Sequence, residues 1–413
     1  MTLVECYDRS VTQNIAGCLH LRPDKLIFIG EAEEVKAELD HYRNFFASHG
    51  MNTVVQQRPV KMSRIESIAA VLREILKQES SCVIDVTGGD ERLLMAVGYV
   101  LAGLTPEQRK KFAVQRFDAA TGMAQDCDGD GRIVEGYPVK ITVRELIRLH
   151  GGIVYPSSSQ PDDTWQPRDL EPLWRIMIRN AKEWNQYLSA LEVFESRADS
   201  KNQVFLYLPD IAGGISEFEE KKQLVLKLLE MFEKEGIIHN QSRGDILEYT
   251  YTSWLYRYCT LKIGNILEVK TLLEARAKAD GQKDYFYDCL MGVHIDWDGV
   301  TYPVGKQVPE TRNEIDVIVT RGMVPLFISC KNGDVDEEEL YKLQTVASHF
   351  GGPDAKKMLI ATHLQKKNEK STNAFIQRAK DMDIELVTDA ATLSREEWQE
   401  VFSLPFEGKK QEK

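Results

Sequence analysis

Apolar positions in the first 155 residues follow two alternating periods. The runs "LVECYD" (3–8), "KLIFIG" (25–30), "NTVVQQ" (52–57), "SCVIDVTGG" (81–89) and "KFAVQRF" (111–117) are rich in β-formers. Between them apolar residues recur at helical spacing: Val35, Leu39, Tyr42 and Phe46 over 32–48, then Ile65, Ile68, Val71, Leu72 and Ile75 over 63–77. A further helix is predicted at 91–102. Residues three and four apart share a helix face, whereas short β-rich runs bounded by turn residues read as buried strands. Strand–helix alternation at this spacing predicts an α/β fold, a Rossmann-like domain with a parallel sheet covered on both faces, over 1–155.

The pattern then changes twice. "YPSSSQPDDTWQP" (155–167) reads as a linker. One amphipathic helix is predicted over 169–196 and another over 216–236, and "GIIHNQSRGDILEYTY" (236–251) reads as a hairpin. Helix plus hairpin predicts a helical, wing-like connector over 156–250. From 251 to 413 the order is a helix (252–276), "MGVHIDW" (291–297), the strand pair in "NEIDVIVTRGMVPLFISCKNG" (313–333), a helix (336–349), "KMLIAT" (357–362), a helix (371–381) and "IELVT" (384–388). That order predicts a second α/β domain, with "EGKKQEK" as a disordered tail.

Composition adds limits. The 413 residues suffice for two or three cores, and 43% hydrophobic with 28% charged residues is the balance of a soluble globular chain. No apolar run approaches the roughly 20 residues that span a bilayer, so no membrane association is expected. The N-terminus lacks a secretory pattern, and seven scattered cysteines without a C-x-x-C pair point to reduced thiols in the cytoplasm. The net charge of −12 argues against holding nucleic acid by the overall field. A polyanionic substrate would need metal ions or a local basic patch, for which Lys356, Lys357, Lys366, Lys367 and Lys370 are available.

The strand pair carries the candidate chemistry. If Ile318 faces Phe327 across a hairpin, Asp316 faces Ser329 with Lys331 as the diagonal neighbour, and all three point to one face. A carboxylate there can bind Mg²⁺ or Mn²⁺, and partial burial would lower the pKa of Lys331. The alternative is a structural salt bridge at a sheet end. Glu268, on the helix before the strands, supplies a second carboxylate from a separate element. Lys342 and Gln344 on the following helix are candidates for substrate contact.

This arrangement resembles the PD-(D/E)xK, restriction-endonuclease-like core. The resemblance implies Glu268, Asp316 and Lys331 as catalytic residues and Glu268, Asp316 and the Cys330 carbonyl as metal ligands. Ser329 departs from the pattern, standing where an acid is usual.

In the first domain, "DVTGGDERLL" (85–94) places Thr87, Gly88 and Gly89 between a strand and a helix N-terminus, a setting for an anion. It is neither a Walker loop nor a dinucleotide fingerprint; a tight turn alone is the alternative. The motif resembles the signature of CARF sensor domains. That likeness implies ligand contacts from Thr87, Gly88, Gly89, Asp90 and Arg92, and from Ser10, Gln13 and Asn14 in the loop after the first strand. The order sensor, connector, nuclease resembles the type III CRISPR-associated ancillary nucleases. It implies a homodimer that binds cyclic tetraadenylate and then cuts DNA, RNA or both with Mg²⁺ or Mn²⁺. An ungated restriction- or repair-type DNA endonuclease and a catalytically inactive cyclic-nucleotide sensor remain alternatives. "DCDGDGRIVEGY" (126–137) matches an EF-hand loop at Asp126, Asp128, Asp130 and Gly131, but Tyr137 stands at its twelfth position, and a hairpin turn accounts for it better.

Overall fold

The strands of the first half order themselves 3-2-1-4-5 because each is joined to the next parallel one by a helix that must cross a sheet face. The structure, a computed structural model, describes every residue except 110, 120, 128–131, 156–161, 199–201, 283–284, 300–311, 334, 365–368 and 408–413. Asp128, Asp130 and Gly131, Lys366 and Lys367, residues 156–161 of the linker and 408–413 of the tail therefore lie outside the described residues. Strands β1 (Thr2–Cys6), β2 (Lys25–Gly30), β3 (Val54–Pro59), β4 (Cys82–Asp85) and β5 (Phe112–Asp118) are parallel, with β1 at the centre between β2 and β4. One face carries Leu3 and Phe28 under the helices Gln13–Leu21 and Ala32–Ser48. The other carries Val4 and Ile27 under Ile65–Gln78 and Glu91–Ala102. Strands buried on both faces read as near-continuous apolar runs, which is why β1, β2 and β4 were legible.

Two antiparallel strands that the apolar pattern did not predict, β6 (Met123–Cys127) and β7 (Ile133–Pro138), extend this sheet beyond β5. Strand β6 mixes apolar with polar residues, and β7 is largely exposed, apolar Ile133 and Val134 included, so burial leaves no periodic trace. Strands on both sides of 128–131, where an EF-hand would have helices, agree with a hairpin.

The helix expected over 169–196 is two, Pro167–Arg179 and Trp184–Glu195. Asn180 ends the first by returning its side-chain amide to the Ile176 carbonyl at 2.8 Å. The helix expected over 252–276 likewise divides into Trp254–Thr260 and Asn265–Gly281. A small sheet in the order β10 (Ile238–Asn240), β11 (Ile246–Tyr251), β9 (Gln203–Tyr207) packs with the helix Phe218–Lys234. Buried Glu195 fastens this unit to the helix Trp254–Thr260. It accepts from Tyr249 and Tyr251 at 2.7 and 2.8 Å and pairs with Arg257.

The third sheet has the order β16 (Glu385–Val387), β15 (Lys356–Ala361), β14 (Val324–Lys331), β13 (Arg312–Arg321), β12 (Asp288–Asp296), β8 (Ile153–Val154). Strand β8 comes from the end of the first segment, so the chain crosses into this sheet before the connector begins. Helix Asn265–Gly281 covers one face, and Glu337–Gly351 with Glu369–Asp381 covers the other. The β13–β14 register pairs Ile318 with Phe327, as the sequence pattern required.

The β13–β14 turn is embedded in the first domain. Met323, 1% exposed, joins Ala124, Val139, Ile141 and Leu146 in that domain's core. The Ile141 amide donates to the Gly322 carbonyl at 3.1 Å, and Thr320 Oγ1 donates to the Ile141 carbonyl at 2.8 Å. Gly322 has φ +62°, and a Cβ there would sit 3.0 Å from the Val139 carbonyl oxygen and 3.1 Å from Gly122 Cα. Replacing Gly322 by Val combines left-handed strain with a backbone clash and is expected to cost about 2–3 kcal/mol or more. The midpoint of urea unfolding measures it; a wild-type midpoint would mean this wedge does not bind the two domains.

Candidate active site

Asp316 lies on β13 and Lys331 at the end of β14, at the opposite end of the hairpin from the embedded turn. The register brings Asp316 opposite Ser329, whose Oγ donates to Asp316 Oδ2 at 3.3 Å; the Cys330 amide donates to the same oxygen at 2.6 Å. Lys331 Nζ is 4.0 Å from that oxygen and 2.9 Å from Glu339 Oε2. Thr271, on helix Asn265–Gly281, meets the Cys330 thiol at 3.4 Å, which sets this helix against β14 one turn beyond Glu268. Burial first, and Asp316 next, push the Glu268 carboxyl up to about 8. Asp316 is also raised by burial, against the pull of Lys331, the Cys330 amide and Ser329.

Asp316 and Lys331 thus stand 4.0 Å apart, and Glu268, on the helix packed against β14, is near enough for the charge of both to act on its carboxyl. The expected lowering of the Lys331 pKa does not occur. Burial works in that direction, but Asp316 and Glu339 outweigh it and hold the ammonium above its ordinary value. The Cys330 thiol is pushed far up by burial, which removes it as a nucleophile near neutral pH.

Glu339 is the functional candidate that the motif reading missed. It sits in the first turn of Glu337–Gly351, and nothing in the sequence pattern distinguished it from the neighbouring Glu337 and Glu338. Lys342 is engaged by Glu338 and Glu339 at 3.4 and 3.2 Å, and Gln344 by Ser348 at 2.8 Å. Lys357 reaches the Met382 carbonyl at 2.6 Å rather than solvent alone.

Two carboxylates and a peptide carbonyl form an all-oxygen donor set suited to Mg²⁺ or Mn²⁺. A carboxyl raised by burial first, and by the neighbouring Asp316 next, is one a divalent cation would ionise, so the donor types fit such an ion. Among the described residues, no three His, Cys, Asp or Glu side chains already form a cluster able to hold a metal.

The second cluster lies where β1 and β4 part toward opposite sides, the crevice in which open α/β sheets take ligands. Asp8, not singled out by the motif reading, organises it. Asp8 Oδ1 accepts from the Ser10 amide at 2.7 Å and Oδ2 from the Gly89 amide at 2.8 Å, tying the two loops together. Asn14 is fully buried, its side chain exchanging hydrogen bonds with the Asp8 backbone and donating to Tyr42. Its amide therefore shapes the loop from within. Gln13 lies against Gly88, where a Cβ would meet its Oε1 at 2.9 Å and Asp8 Cβ at 2.7 Å. Gly89 has φ +101°, a conformation that suits glycine. The Thr87 amide donates to Asp85, whose buried carboxyl is pushed up to about 6, and Thr87 Oγ1 accepts from the Phe117 amide at 2.7 Å. Asp90 caps the helix Glu91–Ala102, and Arg92 forks onto it at 2.7 and 2.8 Å. Ser10, Gln13, Thr87, Gly88, Gly89, Asp90 and Arg92 converge on one edge of the sheet.

A Rossmann-like sheet joined through a helix-and-hairpin unit to a second mixed α/β sheet is thus the architecture. Solved structures share it along the whole chain. Protein VC1899 from Vibrio cholerae matches with a TM-score of 0.68 at 17% identity, over 98% of this chain and 97% of that one. Can2 from Sulfobacillus thermosulfidooxidans, solved in complex with cyclic tetra-adenylate, matches with a TM-score of 0.62 at 16% identity, over the same shares of each chain. No protein-family profile and no curated protein matches the sequence. Among the described residues, no helix is long and apolar enough to cross a membrane.

The raised carboxyl of Glu268 has a thermodynamic signature. A group whose folded pKa lies above its unfolded value loses its stabilising contribution as pH rises through the folded value. Without divalent ions, stability should therefore fall between pH 5 and pH 9. Glu268→Gln should flatten that fall and melt higher than the wild type at pH 8 by about 3–6 °C. Melting curves in EDTA at several pH values decide it; parallel pH profiles for the two proteins would refute the buried placement.

Proposed function

We propose that this chain is a metal-dependent nuclease gated by cyclic tetraadenylate, acting on DNA, RNA or both in type III CRISPR defence. The observation that carries the reading is the approach of Asp316 and Lys331 on paired strands to 4.0 Å, with the helix that bears Glu268 packed beside them. A divalent ion held by Glu268, Asp316 and the Cys330 carbonyl would supply an activated water and charge for the phosphate. The chain's own part is to keep Lys331 protonated beside Asp316. There it can offset charge developing on the scissile phosphate.

Gating is supported by the helix Glu337–Gly351. Its first turn carries Glu339 against Lys331. At its other end Gly352 lies beside Ser10 and Thr12 of the sensor loop, a would-be Cβ falling 3.7 and 3.9 Å from their hydroxyls. Between loop and helix lies a cavity of about 760 Å³ lined by Asp8–Val11, His41, His150, Gln344 and His349 among others. A ligand that bound one arrangement of the loop more tightly would bias the helix, and with it the lysine. The fold shared with Can2, whose structure holds cyclic tetra-adenylate, supports that ligand. Met95 and Tyr99, exposed one turn apart on the helix after the glycine turn, offer a face on which a second copy could close over the ring. Ser329 in place of an acid favours one competing reading, an inactive sensor.

Plasmid DNA and labelled RNA incubated with Mn²⁺ or Mg²⁺, with and without cyclic tetraadenylate, test the proposal. Cleavage is expected only with activator, reduced about 100-fold or more by Lys331→Ala. Arg92→Ala should weaken activator binding about tenfold, the loss of one charge-assisted contact. Cleavage indifferent to activator would replace the gated reading with an ungated endonuclease. Activator binding without cleavage under any condition would leave the inactive sensor.

A further inference from the structure

Among the described residues, Lys331 is the only cation at the centre with an ionic contact to Asp316, yet that contact does not hold it. At 4.0 Å the pair is beyond hydrogen-bond distance, and a lysine has four rotatable bonds. The strand offers no help. Position 329 shares a face with 331, but Ser329 gives its hydroxyl to Asp316. The close carboxylate comes from another element. Glu339 Oε2 takes Lys331 at 2.9 Å while its Oε1 takes Lys342 at 3.2 Å. Glu339 is itself fixed, because Asp336 caps the helix by accepting the Glu339 amide at 3.3 Å. The side chains of Lys331 and Glu339 are 30% and 22% exposed, so the pair is partly shielded from water.

We propose that Glu339 is a positioning residue for this centre, supplying from the following helix the carboxylate contact to Lys331 that Ser329 cannot make. A plain surface ion pair would engage Lys342 alone. Here the carboxylate bridges inward and fixes where the ammonium stands relative to Asp316. The inference rests on the nuclease reading and adds to it a residue outside the strand motif. Glu339 acts through the lysine, so its loss should slow turnover and leave substrate and metal binding in place.

The test uses the full-length chain with Mn²⁺ and cyclic tetraadenylate. Glu339→Gln is expected to lower kcat about 30-fold with KM for nucleic acid within about twofold. Mn²⁺ affinity, read by calorimetric titration, and the melting temperature should be unchanged. Glu339→Asp should recover part of the rate, and Ser329→Glu in the Glu339→Gln background should recover more, by returning a carboxylate to the face of Lys331. Glu339→Gln cleaving at the wild-type rate would overturn the inference alone. So would a loss of Mn²⁺ affinity matching that of Asp316→Asn, which would make Glu339 a metal ligand. A wild type that cleaves neither DNA nor RNA, assayed in parallel, would overturn the nuclease reading and this inference with it.

Discussion

The β13–β14 hairpin is the member on which the two ends of this protein depend. Its turn is buried in the core of the first domain through Met323, with Gly322 pressed against the Gly122 and Val139 backbones. Its far end carries Asp316 and Ser329–Lys331. A two-stranded ladder sandwiched between helices on both faces is stiff, because sliding either strand by one residue would turn every side chain to the wrong face. The centre therefore cannot shift without the first domain registering it through backbone contacts. Short loops or a flexible tether would have left the domains independent. The strand β8, which continues the chain of the first domain and hydrogen-bonds to β12, adds a second tie.

Electrostatics set the second constraint. Glu268 and Asp316 are both raised by burial, and one ammonium is shared between Asp316 and Glu339. With the Glu268 carboxyl raised to about 8, Asp316 and Glu339 are matched by Lys331 and Lys342, so the place holds no surplus cation, in a chain of net charge −12. An anionic substrate approaching it finds little to hold it unless positive charge arrives with it. That is the reverse of a constitutive nucleic-acid binder, which brings its own basic surface.

Legibility in the sequence followed burial. The parallel strands of the first sheet and the β13–β14 register were readable because buried positions impose a period that polar ones do not. Strands β6 and β7 escaped because their apolar residues do not alternate with burial, Ile133 and Val134 facing solvent, and the two long helices were each read as one because Asn180 and Gly264 interrupt an apolar spacing that continues beyond them. Asp316 and Lys331 could be set on one face because strand periodicity fixes which way each points, whereas Glu268 was drawn from its place on the preceding helix and from the motif resemblance. Asp8 and Glu339 could not, since their roles depend on loops and a helix arriving from elsewhere in the chain. The direction of the Lys331 shift was misjudged for the same reason: burial was visible, and the carboxylate of Glu339 was not.

Two paths therefore join the sheet edge at β1 and β4 to the acidic centre, and they differ in kind. The hairpin is held at its turn by backbone hydrogen bonds and a buried methionine, so it transmits position but resists change. The helix Glu337–Gly351 meets the loop after β1 across a cavity, where side chains rather than ladders make the contact and rearrangement is less costly. At its other end it holds the lysine by an ion pair that is partly exposed, hence weaker than a buried one. A stiff member fixes where the centre is, and a softer one bears on how its lysine is held. Under a gated reading, the second is the one a ligand could move without unfolding the first.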